Sequence, residues 1–193
     1  MKIRKYQSLT VKYDGIAGSI MCEVGVSLPF NPQTTPESQS PPLKKYLAIW
    51  DTGASITVVT EKVVDELDLK PITKTTVRGV HGEEERNVYL MNLFFENGAR
   101  IFNVKVVSCK SLSDGGDLLL GMDIICIGDF SITNKNKKTV MSFRTPSLET
   151  IDFVKKQNAE NLMNKVTHKK SNKGTKKKKT KKEIRQNRKK NKK

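Results

Sequence analysis

Three stretches of this chain carry residue types whose order could do chemistry. The first is Leu47-Ala48-Ile49-Trp50-Asp51-Thr52-Gly53-Ala54-Ser55-Ile56-Thr57-Val58-Val59. Its apolar run, Leu47 to Trp50, reads as a buried strand that delivers Asp51 straight into Thr52-Gly53, and Ile56 to Val59 leaves as a second strand. A carboxylate between apolar strands must be paired, hydrogen-bonded or put to work, because an uncompensated buried charge is strongly unfavourable. Gly53 lets backbone approach the acid closely, and Thr52 offers a hydroxyl to a neighbouring loop. The bland alternative for Asp51 is a satisfied loop carboxylate. The second stretch is Leu118-Leu119-Leu120-Gly121-Met122-Asp123-Ile124-Ile125, a short buried strand running into a short helix. The third is Gly79-Val80-His81-Gly82, a glycine-flanked tip followed by Glu83-Glu84-Glu85. His81 reads as a solvated turn residue and receives no catalytic role.

The elements that must position these residues are short. Ser8 to Tyr13 alternates polar and apolar, Asp14-Gly15 is a strong hairpin signal, and a return strand alternates over Ile20, Cys22, Val24, Val26 and Leu28. The prolines between Pro29 and Pro42 forbid regular structure, so this segment reads as a surface loop leading to the Asp51 strand. Thr60 is placed to cap a short helix with Glu61 in its first turn and Val63, Val64 and Leu67 on its apolar side, ended by Pro71. Thr73 to Arg78 is strand-like. Val88 to Phe95 is a long strand, Asn97-Gly98 a second hairpin turn, and Ala99 to Val107 the return. Ser113 to Asp117 is a loop, and Phe130 to Thr133 and Thr139 to Arg144 are two further strands. Many short strands, frequent turns and two short helices predict a mainly β domain.

Composition separates the chain into unlike parts. Of the formal net charge of +16, none resides in residues 1–154, which hold 18 Lys/Arg and 18 Asp/Glu; residues 155–193 hold 18 Lys/Arg against 2 Asp/Glu. The basic character therefore describes a tail and not the domain. A helix is possible from Ser147 to Val166, with a thin stripe of Ile151, Val154, Leu162 and Val166. From Thr167 to Lys193 Ile184 is the only aliphatic residue, too little to bury, so the segment is expected to be disordered. Lysine without interleaved aromatics would attract phosphate without reading bases, so a non-specific polyanion or nucleic-acid contact through 167–193 is one expectation and a merely solvated tail the other. Cys22, Cys109 and Cys126 form no Cys-X-X-Cys or Cys/His cluster, which points to three small core residues and to neither zinc nor a disulfide framework. No secretory signal or membrane span is legible, and a reducing cytoplasmic setting fits.

The Asp51-Thr52-Gly53-Ala54 stretch between apolar strands resembles the active-site loop of aspartic proteases. The Leu118-Leu119-Leu120-Gly121-Met122-Asp123 stretch is similar to the apolar-apolar-Gly-X-Asp/Asn segment of the retropepsin-like, retroviral-type branch. The resemblance covers roughly residues 8 to 146. The resemblance implies a closed barrel of the acid-protease type with two short helices, over 1–146; it says nothing of the helix or linker expected at 147–166 or of the disordered basic tail expected at 167–193, which rest on composition. It implies an aspartic endopeptidase without metal or other cofactor, acting on peptide or protein substrates. The chain has one Asp-Thr-Gly, and two-lobed relatives carry two on a far longer chain, so a homodimer with Asp51 of each copy at a twofold axis is expected. Thr52 would then bond across the axis, Gly53 would line the cleft, and Leu120, Gly121 and Asp123 would support the loop. Gly79, Val80, His81 and Gly82 stand where the family has its flap. Some retroviral members pair an acid at the position of Ser55 with an Arg at that of Met122; that ion pair is absent here, as in cellular and bacterial members. Two other functions compete: a protease-fold binding module that cleaves nothing, and a nucleic-acid-associated protein in which the tail is primary.

Overall fold

The computed structural model describes residues 6–79 and 82–164. Val80 and His81, and the whole of the basic tail from 167 to 193, lie outside the described residues. The chain divides into two units, Met1–Leu148 and Glu149–Lys193.

Among the described residues the first unit contains ten strands and two short α-helices. The strands are β1 (Gln7–Lys12), β2 (Met21–Ser27), β3 (Lys44–Trp50), β4 (Val58–Thr60), β5 (Thr73–Gly79), β6 (Gly82–Phe95), β7 (Arg100–Cys109), β8 (Leu118–Leu120), β9 (Asp129–Thr133) and β10 (Val140–Thr145). The helices are α1 (Glu61–Glu66) and α2 (Met122–Ile125). One sheet runs β2-β3-β8-β4-β7-β6-β5, and β2 pairs a second time with β6. That second pairing closes six strands into a barrel and leaves β5 as an arm outside it, so the expected mainly β, closed-barrel fold is the one observed.

A register shift stands where β6 takes its second partner. The β6–β7 register shifts between Met91 and Leu93, and the same stretch of β6, from Asn92 to Phe95, takes up β2. Asn92 is fully buried there. Its Oδ1 accepts from Asn103 N at 2.8 Å and its Nδ2 donates to Leu28 O at 3.1 Å, so a polar side chain in the barrel wall is satisfied at both ends. Asn103 itself adopts a left-handed backbone (φ 55°), as the extra residue of a bulge does. The Asn97-Gly98 turn forms as the sequence indicates, with Gly98 at φ 84°.

Asp14-Gly15 does not make the expected hairpin. β1 pairs with β10, and β10 with β9, in a separate antiparallel sheet. Tyr13 N donates to Thr139 O and Thr139 N to Gly15 O, both at 2.9 Å, so the turn is drawn to the far end of the chain. Gly15 also lacks the positive φ that a tight two-residue hairpin needs. The chain then crosses from one sheet to the other, with the Tyr13 hydroxyl bridging to Met21 N at 2.8 Å and Met21 O at 3.0 Å.

The small sheet packs on the barrel through aromatic rings. Trp50, the residue before Asp51, has ring centroids 4.9 Å from Phe143 of β10, 5.4 Å from Phe130 of β9 and 5.8 Å from Phe95 of β6. Phe143 and Met141 are fully buried in that layer. At the exit of β10, Asp129 gathers four donors: Arg144 Nε at 3.0 Å, Arg144 Nη2 at 2.5 Å, Ser147 Oγ at 2.5 Å and Leu148 N at 2.9 Å. The backbone N–H of Leu148, the Ser147 hydroxyl and the Arg144 guanidinium hold the Asp129 carboxyl well below the usual carboxylate range.

Two local expectations are corrected. Thr60 stands at the N-cap of α1, but its hydroxyl makes no capping bond, and Thr60 Oγ1 is buried without a partner among the described residues. Thr60 is also the last residue of β4, its N–H is bound to Asp117 O, and its side chain is committed to the interior. The cysteines are not three core residues: Cys22 and Cys109 are half-buried, and Cys126, at the C-cap of α2, is exposed. In the second unit a helix, α3, is described over 153–164, starting later than the expected Ser147; the expected end at Val166 lies outside the described residues, and every described residue of the helix is exposed. Asp152 caps it, its Oδ1 accepting from Lys155 N at 3.0 Å. No helix among the described residues is long and apolar enough to cross a membrane.

Phe143→Ala should destabilise the first unit by about 3–5 kcal/mol, since the ring is fully buried against Trp50 and Phe95; urea unfolding at matched slope checks this. Asp129 predicts an acid limb. Its carboxyl is depressed in the folded state, so the stability it contributes is present above the unfolded pKa near 4 and is lost as pH falls below that. Asp129→Asn should lower stability at neutral pH and flatten the loss of stability between about pH 4 and 2, measured by urea midpoints across pH.

Candidate active site

Asp51 is delivered by a parallel register. β3 and β8 run side by side with Ala48 opposite Leu118, Ile49 opposite Leu119 and Trp50 opposite Leu120. The ladder continues one step further, with Asp51 N donating to Leu120 O at 3.0 Å, while Trp50 N donates to Ile20 O at 2.9 Å. The backbone of the catalytic candidate is therefore fixed by the two strands that flank it. Its side chain is half-buried, and Oδ1 accepts from Gly53 N at 2.7 Å. No partner is recorded for the other oxygen among the described residues. Thr52 and Gly53 are exposed at the tip, and Ala54 is half-buried behind them. A Cβ at position 53 would lie 3.1 Å from Asp51 Oδ1, so the glycine keeps the carboxylate uncrowded.

The far side of the loop is clamped to α2. Thr57, fully buried, donates its N–H to Asp123 Oδ2 at 3.0 Å and its hydroxyl to Asp123 Oδ1 at 2.8 Å, and the same hydroxyl accepts from Gly121 N at 3.2 Å. Met122 N donates to Ala54 O at 2.8 Å. Gly121 is necessary for this approach: a Cβ there would stand 2.7 Å from Ile56 C and O and 3.0 Å from Ala54 O. Leu120 is fully buried beneath the loop. The sequence reading named Leu120, Gly121 and Asp123 as supports and did not name Thr57. Nothing in the spacing marks Thr57, because its partner is 66 residues away and is brought to it only by β4 lying beside β8.

Asp117, read as an ordinary loop residue, is a second junction. Its Oδ2 accepts from Leu47 N at 3.1 Å, its N–H donates to Leu47 O at 2.8 Å, its carbonyl accepts from Thr60 N at 3.0 Å, and its Oδ1 meets Lys62 Nζ at 2.9 Å. One residue thereby joins β3, β4 and α1 ahead of β8.

The glycine-flanked tip joins β5 and β6. Gly79 is opposite Gly82, and Gly82 has φ 114°, a backbone that side chains with a Cβ rarely adopt. Arg78 Nε meets Glu83 Oε1 and Lys74 Nζ meets Glu85 Oε2, each at 2.6 Å, and Arg86 pairs with Glu84. These pairs are largely exposed, so they align the arm more than they stabilise it. The acidic run is thus partnered along its own hairpin.

Behind the site, Trp50 Nε1 donates to Cys22 Sγ at 3.1 Å, and burial pushes the Cys22 thiol up to about 11, so it is held as an unreactive thiol. Among the described residues no three His, Cys, Asp or Glu side chains come together as a metal centre would need. What the arrangement offers chemically is one half-buried carboxylate on an exposed loop that is held on both sides by hydrogen bonds.

Residues 44–124 match the family model described as aspartyl protease. The matched stretch runs from β3 to α2 and contains the Asp51 loop and the Thr57–Asp123 clamp. Asp51-Thr52-Gly53 and the Leu118–Asp123 segment both lie within the matched residues. Among solved structures it is similar to a retropepsin-like aspartic protease from Rickettsia conorii, with 14% identity over 75% of this chain and 99% of that one and a TM-score of 0.44. It is similar to the EIAV protease complexed with the inhibitor HBY-793, with 19% identity over 55% and 85% of the two chains and a TM-score of 0.38. It is also similar to the Simian Foamy Virus (mac) protease, with 20% identity over 54% and 91% and a TM-score of 0.34.

Thr57→Val keeps the shape and removes the hydroxyl, leaving Asp123 Oδ1 and Gly121 N each short of a bond. It should lower stability by about 1–3 kcal/mol, and Thr57→Ser should recover most of that; denaturant unfolding of both variants is the check.

Proposed function

We propose that the protein is a homodimeric aspartic endopeptidase in which Asp51 of each copy forms the catalytic pair. The observation that carries the reading is the state of Asp51: one oxygen is held by Gly53 N at 2.7 Å, the other has no partner among the described residues, and the loop tip is exposed. Such a group is aimed outward from a fixed base, as a general acid or base must be.

Hydrolysis of an amide needs one group to take a proton from water and another to give one. One carboxylate cannot be in both states at once. Two carboxyls brought together cannot both ionise, so they share a proton, and the pair holds the acid and the base simultaneously. The ionised partner takes the proton of a water lying between the two as its oxygen attacks the peptide carbonyl. The protonated partner gives its proton to the carbonyl oxygen, and the resulting tetrahedral species passes a proton to the amide nitrogen as the C–N bond breaks. No bond forms between enzyme and substrate. Gly53 borders the carboxylate, where its exposed backbone is available to an extended peptide, and the tip bounded by Gly79 and Gly82 supplies the closing element. An intact Asp-Thr-Gly, clamped by Thr57 and Asp123, favours this reading over a silent binding module.

Asp51→Asn should leave unfolding and self-association unchanged and abolish peptide cleavage. Wild-type activity should follow a bell-shaped pH profile that belongs to the pair, and specific activity should fall on dilution. Cleavage of a peptide library, with and without a pepstatin-type inhibitor, reads both. Full activity in Asp51→Asn would overturn the assignment.

A further inference from the structure

We infer that the outer face of β7, from Arg100 through Phe102 to Lys105, is an exosite that holds an extended acidic and aromatic segment of a protein substrate outside the cleft. The inference rests on the peptidase reading for the identity of its ligand, and it adds a substrate class to that reading.

The bulge in β7 makes this face. Phe94 of β6 lies directly opposite Arg100, and strand residues alternate between faces, so Arg100 and Phe102 share the outer face with Phe94. Alternation alone would turn residue 105 inward. The left-handed Asn103 stands where the β6–β7 register shifts, and it resets the alternation. Val104 and Val106 are buried as a result, and Lys105 is exposed. β7 therefore presents a cation, a ring and a second cation in line. Five residues of strand set the two cations about 15 Å apart, a spacing that an extended peptide lying alongside reproduces.

Phe102 also joins two hollows. Its ring centroid is 5.6 Å from Phe30 and 5.9 Å from Phe94, both edge to face, and all three rings are half-buried. One hollow, of about 500 Å³, lies between Phe30, Phe94 and Arg100 on one side and the proline-bearing loop with Leu43 on the other. The second, of about 420 Å³, runs from Phe102 and Lys105 to Ser55 and Ile56, just past the Asp51 loop. A substrate that overruns the cleft on this side meets the track. The loop that walls the first hollow precedes residue 44, where the match to the aspartyl protease family begins, so this surface is an addition to what that family supplies.

Charge names the occupant. Among the described residues neither Arg100 nor Lys105 has a recorded ion pair or hydrogen bond. Of the two acids that border the track, Asp123 gives both oxygens to Thr57, and Glu37 stands under the proline-bearing loop. Two cations with donors to spare, on either side of an aromatic cluster, fit carboxylates on either side of an apolar side chain.

The test is direct binding to the full-length Asp51→Asn chain, so that no probe is cut. Two hexapeptides of one composition are compared by calorimetry: the first has Glu at each end and Phe in third place, and the second has its two Glu side by side. The basic tail attracts both alike, so the track is what can tell them apart. The spaced peptide should bind at least about threefold more tightly. Arg100→Glu combined with Lys105→Glu, both at exposed positions, should retain the unfolding midpoint and weaken the spaced peptide about tenfold. Should charge reversal lower the midpoint, Arg100→Gln with Lys105→Gln reads the same loss. The exosite is overturned if the parent chain binds the two peptides alike or binds neither, or if removing both cations leaves the preference in place; the protease reading survives all of these results. A preference for the spaced peptide in a protein whose wild type cuts no peptide would support the exosite as a binding surface and sink the protease reading instead.

Discussion

Asp123 gives both of its carboxylate oxygens to one residue, Thr57, and the geometry of the site follows from that pairing. Thr57 ends the Asp51 loop, and Asp123 opens α2 immediately after β8. Joining them forces the loop to lie across Gly121, and only a residue without a Cβ permits the approach. The Thr57 hydroxyl is used twice, as donor to Asp123 and as acceptor from Gly121 N, so its hydrogen is fixed in direction without any charge of its own. A charge-assisted pair of this kind is stronger than a neutral one, and it is placed where a loop would otherwise be the softest part of the barrel.

The clamp alone would hold the loop to one side. The other side is held by apolar contact. Trp50 sits between barrel and small sheet, with Phe95 from the first and Phe130 and Phe143 from the second. Its indole N–H is satisfied by Cys22 Sγ, so the ring carries no orphaned donor into the core. The consequence is mechanical: the residue preceding the candidate catalytic acid is part of the contact that welds the two sheets. The close packing of such an interior transmits small displacements, so a shift of β9 or β10 is felt at the Asp51 loop.

The barrel was legible because its strands are bounded by strong punctuation. Asn97-Gly98, Gly79 to Gly82 and Gly121 each mark a place where the chain turns or backbones meet, and the motif segments lie between them. The Asp14-Gly15 turn failed for a reason no local window contains: the partner of β1 is β10, at the other end of the domain, and burial of Met141 and Phe143 favours that pairing over a local hairpin. Thr60 failed similarly, since a cap demands a free side chain and β4 had already turned this one inward. Thr57 and Asp117 were invisible because their chemistry is ordinary in sequence and becomes specific only when β4, β8 and β3 are neighbours. Cys126 shows the limit of composition: cysteine is frequently buried, yet this one closes a four-residue helix at the surface.

A site shared about a twofold axis sets a harsher standard of rigidity than a site within one chain. If a loop moves by some distance at right angles to the axis, its copy moves by the same distance in the opposite sense, and the separation of the two carboxylates changes by twice that amount. The coupling that lets a pair share one proton depends steeply on that separation, and productive geometry tolerates about half an ångström. Rigidity within the loop is therefore insufficient; the loop must be rigid relative to the surface where the copies meet. The Thr57–Asp123 clamp fastens the loop to α2, the chain from α2 runs directly into β9, and Phe130 of β9 packs back on Trp50. Loop, helix, strand and indole form a closed circuit, so the Asp51 loop, α2 and β9 hold together as one piece.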